Sequence, residues 1–175
     1  MMTSLYSASA IQERVKDIAE DINKEFAGQD SIHAVVTLNG AFIFAADLIR
    51  QLNVPLVMHF AGATSYFGTN QKDLRINADA LPPSFGGKPV LLIEDIVDSG
   101  NTIGMLRQIM ADRSAGTIRV ASLLKRQSSS GVADFYGFTV PQGLFVIGYG
   151  MDIDGRYREL PEIQTLGTAT SSGSC

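Results

Sequence analysis

Three carboxylates and a glycine turn bearing hydroxyls crowd into Glu94-Asp95-Ile96-Val97-Asp98-Ser99-Gly100-Asn101-Thr102. Ionised and unpaired, Glu94, Asp95 and Asp98 would repel one another. A bound cation, a pair of sugar hydroxyls or a raised pKa has to relieve that repulsion. The turn from Ser99 to Thr102 brings hydroxyls and free backbone N–H groups to the start of a helix, a combination that suits a phosphate. Carboxylates beside a phosphate cradle point to a sugar-phosphate ligand.

The elements around this stretch must put it at a strand end. Val90-Leu91-Leu92-Ile93 is apolar without alternation, as in a strand buried on both faces of a parallel sheet. Ligands of such sheets bind beyond the carboxyl ends of the strands. Periodicity predicts helices over 9–26, 41–52 and 102–112, and strands over 32–38, 55–61, 90–94, 118–124, 135–140 and 144–147. Ser9-Ala10-Ile11-Gln12 fits a capping box for the first helix, and Gly28 a stop after it. Residues 62–87 lose apolar periodicity, which suggests a mobile lid, although Ser65-Tyr66-Phe67 and Leu74-Arg75-Ile76 could form hairpin arms. From Thr165 onward a frayed tail is expected. Alternating β and α pieces imply a doubly wound α/β domain, a parallel sheet with helices on its faces.

Composition narrows the function classes. A chain of 175 residues with 45% hydrophobic and 18% charged residues reads as one globular domain. A net charge of −4 argues against nucleic acid or an anionic membrane as the main partner. Cys175 is the only cysteine, so no intrachain disulfide forms. Neither a secretory signal nor a run of roughly 20 apolar residues is visible, so a cytoplasmic protein is expected.

Other chemistry-bearing residues have plainer readings. His33 and His59 fall within predicted strands, each a lone histidine with nothing nearby to pair with it, and read as structural. Asn39-Gly40 leaves backbone amides free to meet an anion, but is also an ordinary turn. Lys125 and Arg126 end a strand and could be solvated, and Arg126 is left in that reading. Asp152-Ile153-Asp154-Gly155 lacks the rest of a calcium loop.

Together these segments resemble the hypoxanthine–guanine (6-oxopurine) phosphoribosyltransferase family nearly end to end. Ile93-Glu94-Asp95-Ile96-Val97-Asp98-Ser99-Gly100-Asn101-Thr102 is similar to its phosphoribosyl pyrophosphate loop. Phe145-Val146-Ile147-Gly148-Tyr149-Gly150-Met151-Asp152, followed by Arg158 and Leu160-Pro161, matches its base-binding segment. Ala121-Ser122-Leu123-Leu124-Lys125-Arg126 and Ser65-Tyr66 complete the set in the family's order.

The resemblance implies a type I phosphoribosyltransferase fold in a single domain over 1–175. It would have a lid at about 62–87, a purine-binding hood at about 125–165 and a disordered tail at 166–175. It implies transfer of the 5-phosphoribosyl group to hypoxanthine or guanine, possibly xanthine. Asn39, Gly40, Glu94, Asp95, Asp98, Ser99, Gly100, Asn101, Thr102 and Arg158 would hold phosphoribosyl pyrophosphate. Glu94, Asp95 and Asp152 would meet Mg2+, and Asp98 would be the catalytic base. Lys125 would donate to the 6-oxo group, Phe145 would stack on the purine, and the Val146 backbone would meet its edge. Ser65 and Tyr66 would belong to the lid, and the chain would form a homodimer or homotetramer.

Asn39 and Asn101 stand where relatives often carry basic residues, and Gln142-Gly143-Leu144 looks one residue longer than the usual turn. The rival reading is a regulatory protein of the same fold that senses the sugar pyrophosphate. A phosphate-loop kinase or hydrolase is set aside, because neither the Gly-x-x-x-x-Gly-Lys-Ser/Thr nor the Gly-x-Gly-x-x-Gly pattern occurs.

Overall fold

The computed structural model describes residues 2–67, 72–129 and 133–166, with the side chains of 64–67 and 72–74 left aside. The elements run β1 (Met2–Tyr6), α1 (Ala8–Glu25), β2 (Ile32–Leu38), α2 (Phe42–Ile49), β3 (Leu56–Phe67) and β4 (Lys72–Asn77). They continue as β5 (Val90–Val97), α3 (Asn101–Asp112), β6 (Ile118–Arg126), β7 (Phe135–Val140), β8 (Val146–Ile147) and β9 (Ile163–Leu166).

The main sheet has the order β4-β3-β2-β5-β6-β7. Every neighbouring pair is parallel except β3 and β4. Parallel strands need crossovers, and helices supply two of them: α2 joins β2 to β3, and α3 joins β5 to β6. One apolar cluster packs α1 and α2 on one face through Ile11, Val15, Ile22, Phe44 and Leu48. A second packs α3 on the other through Ile103, Leu106 and Met110, with Leu81 and Phe85. Val90, Leu91, Leu92 and Ile93 are wholly buried between the two, which is why β5 carries no alternation.

Three expectations need correction. The first helix is capped by Ser7, whose extended backbone lets its hydroxyl accept from the Ala10 N–H at 3.3 Å; Ser9 already lies within the first turn. Thr165 is not frayed. It sits in β9, which pairs antiparallel with β1 (Thr3 opposite Thr165) and with β8 (Val146 opposite Thr165). Within 62–87 the expected hairpin arms do pair antiparallel, with Ser65 opposite Leu74 and Ala63 opposite Ile76. Finally, the histidines have partners: His33 Nδ1 lies 2.8 Å from His59 Nε2, and both rings meet the edge or face of Phe85.

The three-stranded sheet β1-β9-β8 forms a second, smaller layer. It holds the chain ahead of Gly148 against the rest of the molecule, and so fixes one wall of the site described next. Among the described residues no helix is long and apolar enough to cross a membrane.

Candidate active site

The site opens where β5 ends, between the loop after β2, the start of α3 and the segment after β8. Glu94 is 8% exposed, and its Oε1 accepts from the Thr37 hydroxyl at 2.6 Å. Burial raises the Glu94 carboxyl well above the usual range, and the adjacent Asp95 adds to this; the Thr37 hydrogen bond opposes both.

Gly40 is needed because Asp95 packs against its α-carbon: a Cβ there would lie 1.9 Å from Asp95 Oδ2. Gly150 is held as closely, since its Cβ would meet Gly40 O at 2.1 Å. The loop after β2 and the segment after β8 therefore touch at backbone level, with the Asp95 side chain packed on the first. Arg158 fastens the second: NH1 donates to Gly150 O at 2.6 Å, and NH2 pairs with Asp152 Oδ1 at 2.8 Å.

Three cavities adjoin here and share lining residues. The first, of about 280 Å3, takes in Asn39, Gly40, Glu94, Asp95, Asp152 and Arg158. The second, of about 70 Å3, is lined by Glu94 and by Asp98 to Thr102. Gly100 enters α3 in the left-handed region (φ 79°); the Asn101 N–H donates to Ser99 Oγ at 3.3 Å, and first-turn amides of a helix have no intrahelical acceptors. The third, of about 190 Å3, is lined by Asp95, Arg126, Phe145, Val146, Met151 and Asp152. Phe145 is 48% exposed, an unusual state for a large ring and one that leaves a face open to stack on a ligand.

Most of the sequence-predicted residues are thus gathered around one strand end; Lys125 pairs with Val97 there but does not line these three cavities. Successive residues of a strand point to opposite sides, and it is Arg126 that lines the third cavity. The Lys125 ammonium sits 4.9 Å from the centroid of the Tyr136 ring instead. The side chains of Ser65 and Tyr66 fall outside the described residues; their backbone belongs to β3.

Thr37, Arg126 and Met151 were missed. Thr37 had a signal, as a hydroxyl in an otherwise apolar strand, and it is one of the few buried polar residues. Arg126 could have been found by counting strand parity rather than by motif. Met151 gave none, since a methionine beside glycines reads equally well as core.

Comparison with known proteins agrees with this geometry. The phosphoribosyl transferase domain family model matches residues 1–154. The hypoxanthine-guanine phosphoribosyltransferase of Bacillus subtilis is 38% identical over 168 residues, covering 93% of this chain and 91% of the relative. A hypoxanthine phosphoribosyltransferase structure from Staphylococcus aureus superposes with a TM-score of 0.86 at 28% identity, covering 98% of this chain and 94% of that one. A Trypanosoma cruzi hypoxanthine phosphoribosyltransferase variant complexed with the product IMP gives 0.82 at 31% identity, with 94% and 89% covered. On the family model and on relatives matched over nearly their whole length, the chain belongs to the hypoxanthine–guanine phosphoribosyltransferase family.

Proposed function

We propose that this protein transfers the 5-phosphoribosyl group from phosphoribosyl pyrophosphate to an oxopurine base of the hypoxanthine, guanine and xanthine class, releasing pyrophosphate. The observation that carries this reading is the meeting of three chemically different cavities at the end of β5. The second suits the 5-phosphate: amides and the hydroxyls of Ser99 and Thr102 donate there, and the small volume fits one phosphate. The first receives the ribose and pyrophosphate, with Asn39 and Gly40 offering backbone and Arg158 offering charge. The third takes the base, with Phe145 as platform and the Val146 backbone at its edge.

In the reaction, a purine ring nitrogen bonds to the anomeric carbon while the bond from that carbon to pyrophosphate breaks. The nitrogen's proton passes to Asp98. Asp98 lines the phosphate cavity and lies 3.9 Å from the Arg126 guanidinium of the base cavity, between the two reactants. A base so placed typically contributes about 10²–10⁴-fold. The β3–β4 hairpin rises beside Ala63, which lines the first cavity, and we assign it the lid that excludes water.

Asp95 and Asp152 share the first cavity, an oxygen-only donor set that suits a hard cation. Among the described residues no cluster of three or more His, Cys, Asp or Glu forms a metal cage. Asp152 already accepts from the Gly155 N–H at 2.7 Å and pairs with Arg158. Such residues fit Mg2+ that arrives with the substrate phosphates and keeps much of its water. When bound, it neutralises charge on the departing pyrophosphate.

Assembly as a homodimer or homotetramer is part of the same proposal. Phe42 of α2 and Val57 and Phe60 of β3 are each at least 44% exposed, an apolar exposure that a partner subunit would cover. The sensor alternative is weaker because a protein reading only the sugar pyrophosphate has no use for the Phe145 cavity. An ultraviolet assay with Mg2+ and phosphoribosyl pyrophosphate, offering hypoxanthine, guanine, xanthine and adenine separately, tests the reading. Turnover with an oxopurine supports it, and turnover with none refutes it.

A further inference from the structure

Setting Tyr149 aside, the buried polar side chains among the described residues are Thr37, Glu94 and Ser122. The three are neighbours. Val36 pairs with Ile93, which brings Thr37 of β2 beside Glu94 of β5, and Glu94 pairs with Ser122 of β6. Strand alternation puts them on the α3 face of the sheet with Val35, Leu92 and Val120, so one polar rung ends an otherwise apolar stack. Thr37 and Glu94 both line the first cavity, and Glu94 also lines the second. The Thr37 hydroxyl has one hydrogen and two acceptors in reach, Glu94 Oε1 at 2.6 Å and Ile93 O at 3.0 Å. The Asp95 N–H donates to the same Glu94 oxygen at 3.3 Å. Both donors act on Oε1 and so fix the carboxyl from one side.

A valine at position 37 would fill nearly the same space, as Val35 does two residues earlier, with no hydroxyl to bury. The use of the hydroxyl lies in what it does to Glu94. We propose that Thr37 is a positioning residue for the sugar: its hydroxyl holds Glu94 Oε1 against β2 and leaves the other carboxyl oxygen to accept from the ribose hydroxyls where the first and second cavities meet. This rests on the phosphoribosyl-transfer reading, which places the ribose between a 5-phosphate in the second cavity and pyrophosphate in the first. A glutamate has several side-chain torsions to freeze, and one already fixed by its neighbours meets the sugar without that cost. Thr37 acts through Glu94, and neither residue lines the cavity walled by Phe145 and Val146. Its effect therefore falls on the sugar pyrophosphate and spares the purine.

The test is calorimetric titration of Thr37→Val, Thr37→Ser, Glu94→Gln and the Thr37→Val/Glu94→Gln double variant with phosphoribosyl pyrophosphate and Mg2+. Steady-state kinetics at saturating sugar pyrophosphate give the oxopurine KM of each, and thermal melts check folding. Thr37→Val should bind the sugar pyrophosphate about 10-fold more weakly, with the oxopurine KM within about 2-fold of the parent's. Thr37→Ser, which keeps the hydroxyl, should recover most of the loss. In the Glu94→Gln background the valine should add no further loss, because the hydroxyl works through that carboxyl. Parent-like affinity in Thr37→Val, an equal rise in its oxopurine KM, or losses that add in the double variant overturn the proposal. If Thr37→Val does not fold, Thr37→Ser and Thr37→Cys decide: a loss confined to the cysteine variant supports the proposal, and equal affinities overturn it. A parent that binds no phosphoribosyl pyrophosphate removes the transfer reading and this proposal together, a result distinct from a binding parent with an indifferent Thr37→Val.

Discussion

The Tyr149 hydroxyl donates to Asp47 Oδ2 at 2.5 Å, joining the loop that follows β8 to the middle of α2. Gln12 of α1 donates to the same oxygen at 2.8 Å, and Arg50 pairs with the other oxygen. Burial and the Asp47 carboxylate push the Tyr149 phenol far above its ordinary pKa, so it stays a donor. At Asp47, burial pushes upward, but the hydrogen bonds from Tyr149 and Gln12 and the Arg50 charge outweigh it and hold the carboxyl below its ordinary value. Tyr149 is itself in the left-handed region (φ 49°), a backbone state that a non-glycine residue holds only when its surroundings enforce it.

Removing that hydroxyl should loosen the segment carrying Asp152 and Arg158. Tyr149→Phe keeps the ring but loses a charge-assisted hydrogen bond, so unfolding in urea should show a loss of about 1–3 kcal/mol. The KM for phosphoribosyl pyrophosphate should rise more than that for the base. Unchanged stability and unchanged KM values would show that the contact positions nothing.

Asp98→Asn keeps the size of the side chain and removes its basicity. Turnover should fall by about 10²–10⁴-fold while phosphoribosyl pyrophosphate binding, followed by calorimetry, stays near that of the parent. A turnover number equal to the parent's would move the base elsewhere.

Gly40→Ala adds a methyl group where Asp95 Oδ2 already sits, 1.9 Å from the new carbon. Either the carboxylate or the 39–40 loop must move, and both line the first cavity. The variant should fold, because the change lies at the rim, but should bind phosphoribosyl pyrophosphate at least 10-fold more weakly, about 1.4 kcal/mol. Parent-like affinity would mean that the loop and Asp95 do not act together on the ligand.

The histidine pair supplies a pH dependence. At His33, burial and the Lys88 charge lower the pKa from 6.5; at His59, burial and His33 do the same. The folded state thus binds fewer protons than the unfolded state over the window just below pH 6.5. Stability therefore falls as pH drops from about 6.5 through the lowered folded values, and is independent of these groups above it. Thermal melts of the parent should show this slope, and His59→Phe should reduce it. An identical slope in the variant would place the acid sensitivity in other groups.

Much of this site was legible because its chemistry is local. The run from Glu94 to Thr102 carries its own strand end, turn and helix start, and β2 and β7 appear over the residues that their patterns predicted. What escaped was set by contacts between distant segments. β1 and β9 join residues more than 150 positions apart, and each is too short to show its period alone. Lys125 and Arg126 are adjacent cations, and only the direction of each side chain in β6 separates the one over Tyr136 from the one in the base cavity. His33 and His59 looked solitary because parallel pairing of β2 with β3, which brings their rings together, leaves no trace in the intervening sequence.

The central claim is that the three cavities at the end of β5 join a sugar to a base rather than merely hold the sugar pyrophosphate. A single-turnover experiment addresses it most directly: excess protein is mixed with phosphoribosyl pyrophosphate, Mg2+ and guanine or hypoxanthine, quenched, and separated by chromatography. The account predicts equimolar nucleoside monophosphate and pyrophosphate. Recovery of intact phosphoribosyl pyrophosphate and free base from a protein that demonstrably bound the sugar would contradict it.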